Sequence, residues 1–270
     1  MASTKTPAPD SPRQASALIK RQSLVDIEIQ AARIAAMMAQ IRATMLSPTS
    51  KKSAPSVSAA QLATLCGVDK SKINYRLTRD DLPPGEMVGN RREWKMADAR
   101  AWVRAFRTPH LRPAGAAGTT ITVANFKGGV AKTTSAVTLA QGLAMRGHRV
   151  LVLDLDPQGS ATTLFGVLPD AEVEAEHTAM LLFSGQAEDL SYAIRPSYWP
   201  GIDLVCAAPL LFGAEFALPA RQTRDPGFEF WRCLDRGLDQ AREDYDVIVI
   251  DTPPALSYVT INALMAADGV

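Results

Sequence analysis

TITVANFKGGVAKTT, residues 120–134, decides how the rest of this chain is read. A short apolar, β-branched run (Ile121, Val123, then Ala124) ends in Lys127-Gly128-Gly129 and passes through Val130 and Ala131 into Lys132-Thr133-Thr134. SAVTLAQGLAMRG follows, a stretch compatible with a helix. The order predicts a strand, a tight glycine turn and a helix N-terminus. Such a loop points successive backbone N–H groups at one spot, and the helix dipole adds partial positive charge there. A phosphate chain suits it, with Lys132 as countercharge and the Thr133 hydroxyl as a Mg²⁺ ligand. The strict P-loop pattern would place glycines at 126 and 131, where this chain has Phe126 and Ala131. The alanine reads as a mild departure, because a small residue entering a helix needs no positive φ.

Two further stretches share one design. HRVLVLDLDPQGSATTLFG (148–166) holds an apolar run from Val150 to Leu153 that ends in Asp154 and Asp156. DVIVIDTPPALS (246–257) holds a second run, ending in Asp251. Continuous apolar runs of this length are expected of parallel strands covered on both faces. Functional groups collect at the carboxyl ends of such strands, so these aspartates belong at the same edge as the glycine loop.

With its extra lysine, Lys127, the box KGGVAKTT resembles the deviant Walker A motif, KGGxxK[ST][ST], of the ParA/MinD family of ATPases. DLDPQGSAT resembles the family's Walker A′ box, Asp251 its Walker B aspartate, and Thr252-Pro253-Pro254 its switch segment. The resemblance covers roughly residues 118–270. It implies an α/β P-loop domain with a parallel sheet, and ATP and Mg²⁺ as cofactors. It further implies that the backbone N–H groups of Gly128, Gly129, Val130, Ala131, Lys132, Thr133 and Thr134 cradle the phosphates. Thr133 and Asp251 would hold the metal, Asp156 would orient the attacking water, and Asp154 would support the site. Lys127 would reach the partner's ATP across a sandwich dimer, and hydrolysis would be slow and partner-stimulated.

The net charge of +1 hides an asymmetry. Residues 1–113 carry 19 Lys+Arg against 9 Asp+Glu, and residues 114–270 carry 10 against 19. A basic half joined to an acidic one predicts two modules, the basic one facing nucleic acid. No run approaches the apolar length of a membrane span, and MASTKTPAPDSPRQ has no apolar core of a secretory signal. Cys66, Cys206 and Cys233 are odd in number and scattered, which fits reduced thiols and offers no metal-site spacing.

Within the basic half, residues 1–13 read as a disordered tail. Residues 14–46 read as a helix whose Leu24, Ile27, Ala31, Ile34, Met38, Ile41 and Met45 alternate spacings of three and four. That seam suits either a dimerising helix or one packed on its own domain. Residues 47–57 read as a linker. In 58–77, Ser58 is placed to cap a helix carrying Leu62 and Leu65, Gly67 to turn the chain, and Asp69 or Ser71 to start a second helix. That second helix bears Lys70, Lys72, Asn74 and Arg76, a helix-turn-helix pattern anchored by Val68 and Ile73. LPPGEMVGNRREWKM (82–96) reads as a β-wing turning at Gly89-Asn90, with Arg91 and Arg92 as phosphate contacts and Trp94 as anchor. A helix over 97–106 is expected behind it, so 58–106 reads as a winged helix-turn-helix. A small helical domain with a solvated basic face would give the same pattern. Residues 107–118 read as a second linker and 119–270 as the ATPase domain. There EVEAEHTAMLLF (172–183) and FEFWRCLDRGLDQAREDY (228–245) are expected as helices, the Pro196/Pro200 stretch as a loop, and His148 and His177 as packing or surface residues.

Within the family, this front module resembles the large plasmid-partition ParA proteins. The resemblance implies a cytoplasmic, nucleoid-associated homodimer that binds DNA, site-specifically through the helix-turn-helix and nonspecifically in the ATP state. It implies a ParB-like partner and no membrane. The expected function is a DNA-segregation ATPase that also represses its operon; the alternative is a nucleotide-modulated repressor without cargo movement. The family would be entering another strand where the chain stops at Val270, so the sequence reads as a fragment with an open sheet edge.

Overall fold

The computed structural model describes residues 23–45 and 52–270. The chain divides into two compact units, Met1–Ser50 and Lys51–Val270. Among the described residues the first holds helix α1 (Leu24–Met45), whose start is fixed by reciprocal bonds between Ser23 and Asp26. The seam positions Leu24, Ile27, Ala31 and Ile34 are exposed, and so are Val25, Ile29 and Met37. Apolar side chains therefore spread beyond a single seam. The expected tail, residues 14–22 and 46 of the 14–46 helix, and residues 47–51 of the linker lie outside the described residues.

The second unit opens with β1 (Val57–Ser58), α2 (Ala59–Cys66) and α3 (Lys70–Leu77). Ser58 caps α2 in a capping box with Gln61, and Gly67 ends it at φ 71°. A left-handed residue there lets the chain leave one helix and enter the next within three residues. The hairpin of β2 (Glu86–Val88) and β3 (Arg91–Trp94) turns at Gly89-Asn90, and β1 pairs with the other edge of β3. Helix α4 (Met96–Arg107) packs behind it. Trp94 and Trp102 are both fully buried, edge to face at 6.1 Å, and both indole N–H groups donate to the Pro83 carbonyl (3.0 and 2.8 Å). Two buried indoles thus satisfy their polar ends on one acceptor while contributing large apolar area.

A five-stranded sheet follows in the order β4-β8-β5-β7-β6. Strands β4 (Thr119–Val123), β5 (Val150–Asp154), β7 (Ile202–Val205) and β8 (Val247–Asp251) run parallel. The short β6 (Arg195–Pro196) adds antiparallel at the edge, within a stretch expected as loop. Proline is tolerated there because an edge strand need not donate on its outer side. The outer edge of β4 is met by residues 268–269: Thr122 N–H donates to the Gly269 carbonyl (2.9 Å) and Asp268 N–H to that of Thr120 (2.8 Å).

Alternate strand residues feed two cores. Val150, Val152, Ile202, Leu204, Val247 and Val249 face α5 (Lys132–Met145), while Leu151, Leu153, Val205, Ile248 and Ile250 face the other side. The first core runs on without a break into Leu62, Ile73, Trp94 and Trp102. Residues 57–103 and the sheet therefore share one interior. The 107–118 segment, expected as a linker, is held down: Arg112 donates to the carbonyls of Arg242 and Glu243 and pairs with Asp246 at 3.2 Å.

Two expected helices are broken. Over 172–183 the chain is a short helix (Pro169–Glu172), a 3₁₀ turn (Ala175–His177) and another helix (Met180–Ser184). Thr178 instead bridges to Cys206 beside β7, and that lateral pairing displaces the helical bond. Over 228–245 a 3₁₀ turn precedes two helices, Cys233–Gly237 and Asp239–Asp244. Gly237 sits at the break, where a Cβ would lie 2.5 Å from Leu182.

Candidate functional site

The loop from 124 to 131 joins β4 to α5 at the carboxyl edge of the sheet. Gly129 takes φ 71° and Ala131 takes φ 63°. The mild reading of Ala131 is therefore corrected: the last loop residue is left-handed, and alanine occupies a conformation that glycine adopts more readily. The reason lies in the next step, where Ser135 N–H donates to the Ala131 carbonyl (2.8 Å) as the first bond of the helix. The ammonium of Lys132 folds back to the Lys127 carbonyl at 3.3 Å. Lys127 is exposed, and its N–H is bound by Asn125 Oδ1 (2.9 Å). Residues 128–134 line a cleft of about 540 Å³ together with Asp156, Gln158, Ser160 and Pro254. Lys127 lies outside that lining.

The three aspartates converge beneath this loop. Asp154 and Asp251 are register partners at the ends of β5 and β8. Asp154 is fully buried; its Oδ2 accepts from Thr162 N–H and Thr162 Oγ1 (both 2.7 Å), and its Oδ1 from Asp156 N–H (3.2 Å). Burial pushes its carboxyl up to about 7 against the opposing pull of those Thr162 bonds. Asp156 reaches the cleft, its Oδ1 accepting from Gln158 N–H (3.0 Å). Asp251 is fully buried, and neither carboxylate oxygen has a hydrogen-bond partner. Burial raises its pKa to about 6 while the Thr133 hydroxyl and the Lys132 charge draw it down; Thr133 is near enough for that, yet no bond of good geometry closes between them.

An unpartnered buried carboxylate costs several kcal/mol unless a cation compensates it. The donor set of Asp251 and Thr133 is hard oxygen, which suits Mg²⁺. Among the described residues no group of three His, Cys, Asp or Glu could enclose a metal alone. Magnesium sites that rely on one or two protein ligands and share the ion with phosphate oxygens fit this arrangement.

Residues 118–270, more than half of the chain, match the family model described as an AAA domain. The chain is 34% identical over 238 residues to the putative replication protein A of Sinorhizobium fredii, covering 83% of this chain and 58% of that protein. It is 40% identical over 154 residues to protein SopA of Escherichia coli K12, covering 55% and 39%. The chain belongs to the ParA/MinD family of P-loop ATPases. It spans 58% and 39% of the length of these two relatives. A solved structure described as a partition protein shares the fold over 90% of this chain and 68% of its own, at 22% identity and a TM-score of 0.60.

On this ParA/MinD chain the predicted basic residues divide. Lys70, Asn74, Arg91 and Arg92 line one groove of about 460 Å³ with the first turn of α2. Lys70 and Asn74 are one helical turn apart on α3, which puts both on one face of the helix. Arg92 is partly engaged, donating to the Pro84 carbonyl (2.7 Å). Lys72 is exposed outside the groove. Arg76 stands outside the groove lining: it makes a bidentate pair with Asp81 (3.0 and 2.5 Å) and lies 5.9 Å over the Phe106 ring of α4.

Three residues of the site escaped the sequence reading. Gln158, Ser160 and Thr162 all stand in the quoted DLDPQGSAT string, where only the aspartates attracted notice. Thr252 is buried, and its hydroxyl donates to the Val123 carbonyl (2.9 Å), tying the end of β8 to the start of the loop. His148 and His177 stay outside the cleft lining, and His177 Nδ1 accepts from Glu174 N–H (3.0 Å).

Proposed function

We propose that this chain binds Mg²⁺–ATP in the cleft under residues 128–134, hydrolyses it slowly, and serves as a DNA-partition ATPase. The observation that carries the reading is the orphaned Asp251 carboxylate, buried beside Thr133 and Lys132. Mg²⁺ held by Thr133 and Asp251 would supply charge neutralisation at the β- and γ-phosphates. The loop N–H groups and Lys132 orient the phosphate chain, and Asp156 orients the water. Phosphoryl transfer needs alignment and charge more than covalent help, which is what these groups offer. Lys127, free of the cleft, is available to a partner's nucleotide, making ATP a dimerisation switch.

Lys70, Asn74 and Arg91 are proposed as the DNA-contacting set of a winged helix-turn-helix, with Arg92 supporting the wing. The exposed apolar residues of α1 are proposed to pair two copies. A ParB-like protein is the expected stimulating partner, and the nucleoid the expected location. The docking of α4 on the ATPase core favours keeping the second reading, a repressor whose DNA affinity nucleotide adjusts. Asp156→Ala separates them in a cell carrying the parent replicon. Segregation predicts lost plasmid maintenance with repression intact; unchanged maintenance favours the repressor.

A further inference from the structure

We propose that Thr162 is a positioning residue for Asp156, acting through the buried carboxylate of Asp154; this rests on the ATPase reading above. Asp154 is sealed from the cleft and saturated by its neighbours, which leaves it no role as a second acid on the phosphates. What it holds is informative. One oxygen accepts from the backbone N–H of Asp156, the other from both the N–H and the hydroxyl of Thr162.

A threonine hydroxyl has a single proton, and here it goes to Asp154. Its lone pair is thereby aimed away, and it accepts from Ala207 N–H at 2.8 Å. One fully buried side chain therefore joins three segments: the end of β5 with Asp156 behind it, the first turn of helix α6 (Ser160–Leu164), and the strand exit at Ala207. Helix α6 supplies Ser160 and Thr163 to the cleft wall. The turn between Asp156 and α6 has little room to readjust. Gly159 stands at φ 62°, where a Cβ would lie 2.5 Å from Pro169 and 2.9 Å from the Ala207 carbonyl.

A water-orienting carboxylate is useful only at a fixed place relative to the phosphate, and small displacements are expensive in rate. The phosphates are gripped by residues 128–134, on a different segment. Loss of the Thr162 hub should therefore damage turnover and spare nucleotide affinity. It also explains a threonine in place of valine: valine fills the same volume but leaves Ala207 N–H and one Asp154 oxygen short of a partner.

The test compares Thr162→Val, Thr162→Ser and Asp154→Asn with the unaltered chain, using Asp156→Ala as reference. Affinity is read from a fluorescent ATP analogue with Mg²⁺, turnover from phosphate release, and folding from thermal melting. Thr162→Val should lower kcat on the order of ten- to a hundredfold with affinity within about twofold, and Thr162→Ser should keep most of the rate. If Thr162→Val does not fold, Asp154→Asn carries the same expectation of lost kcat with retained affinity. Full turnover in the folded variants, or affinity falling in step with kcat, overturns the role. An unaltered chain without turnover, or Asp156→Ala at full rate, overturns the ATPase reading and this inference with it.

Discussion

The guanidinium of Arg100, in the basic half of the chain, donates to the main-chain carbonyl of Ala144, in the last turn of the helix that begins at Lys132. The same Nη1 reaches the His148 carbonyl at 3.0 Å, and the neighbouring Arg104 takes that of Gly147. Helix C-termini leave carbonyls unpaired and carry partial negative charge, so two arginines are a physically apt cap. Arg100 is 8% exposed, and burial brings its pKa down to about 10. Arg100→Ala should cost about 2–4 kcal/mol, because the His148 carbonyl loses its donor, the Ala144 carbonyl keeps only Gly147 N–H, and the buried packing of the side chain is lost. Lysine should not restore it, since one ammonium lacks the planar fork. Urea unfolding of the three proteins checks this. Gly201→Ala should act similarly, as its Cβ would fall 2.0 Å from the guanidinium carbon.

Ala131 gives a prediction of opposite sign. At φ 63° an alanine is strained, and glycine would relieve about 1 kcal/mol less the entropy it adds to the unfolded chain. Ala131→Gly is expected to leave stability within about 1 kcal/mol and to keep ATP affinity. Loss of affinity would mean that the alanine side chain itself shapes the loop.

Asp154 and Asp251 make the nucleotide-free protein pH-sensitive. Their folded pKa values, about 7 and about 6, stand above the ordinary aspartate value of 3.8. Between about pH 4 and pH 7 the folded state keeps protons that the unfolded chain has released, so their contribution to stability falls as pH rises through that window. Asp251→Asn removes one such penalty and should raise apo stability at pH 8 by up to about 3 kcal/mol, with little change at pH 4. Melting curves with and without Mg²⁺–ATP should cross over, because the variant gains no metal-linked stabilisation.

The basic residues should separate by role in a DNA-binding titration. Arg91→Ala should weaken binding across sequences and lower the salt slope by about one. Asn74→Ala should cost about 1–3 kcal/mol on the cognate site alone. Arg76→Ala should leave the salt slope unchanged and lower stability only slightly, its partner Asp81 being exposed.

Most of the candidate cleft was legible because its residues cluster in three short strings, each an apolar strand with its polar group at the end. Strand β8 could be read straight from VIVID, since both of its faces are covered. Ala131 was misread because a backbone angle is set by where the chain must go next, which the residue type does not state. The 172–183 and 228–245 helices failed for a tertiary reason: Thr178 pairs with Cys206, and Gly237 admits Leu182. The boundary at 107–118 looked loose by composition, yet Arg112 anchors it through acceptors some 130 residues away in sequence, at Arg242 and Glu243. Arg76 shows the same limit, its contacts with Asp81 and Phe106 being invisible in the sequence.

The central claim is that the cleft under residues 128–134 takes Mg²⁺–ATP. Equilibrium binding of ATP to the 270-residue chain, beside Lys132→Ala, tests it most directly. The account predicts Mg²⁺-dependent binding that Lys132→Ala weakens by about tenfold or more. Equal binding by both proteins, or none by the folded unaltered chain, would contradict it.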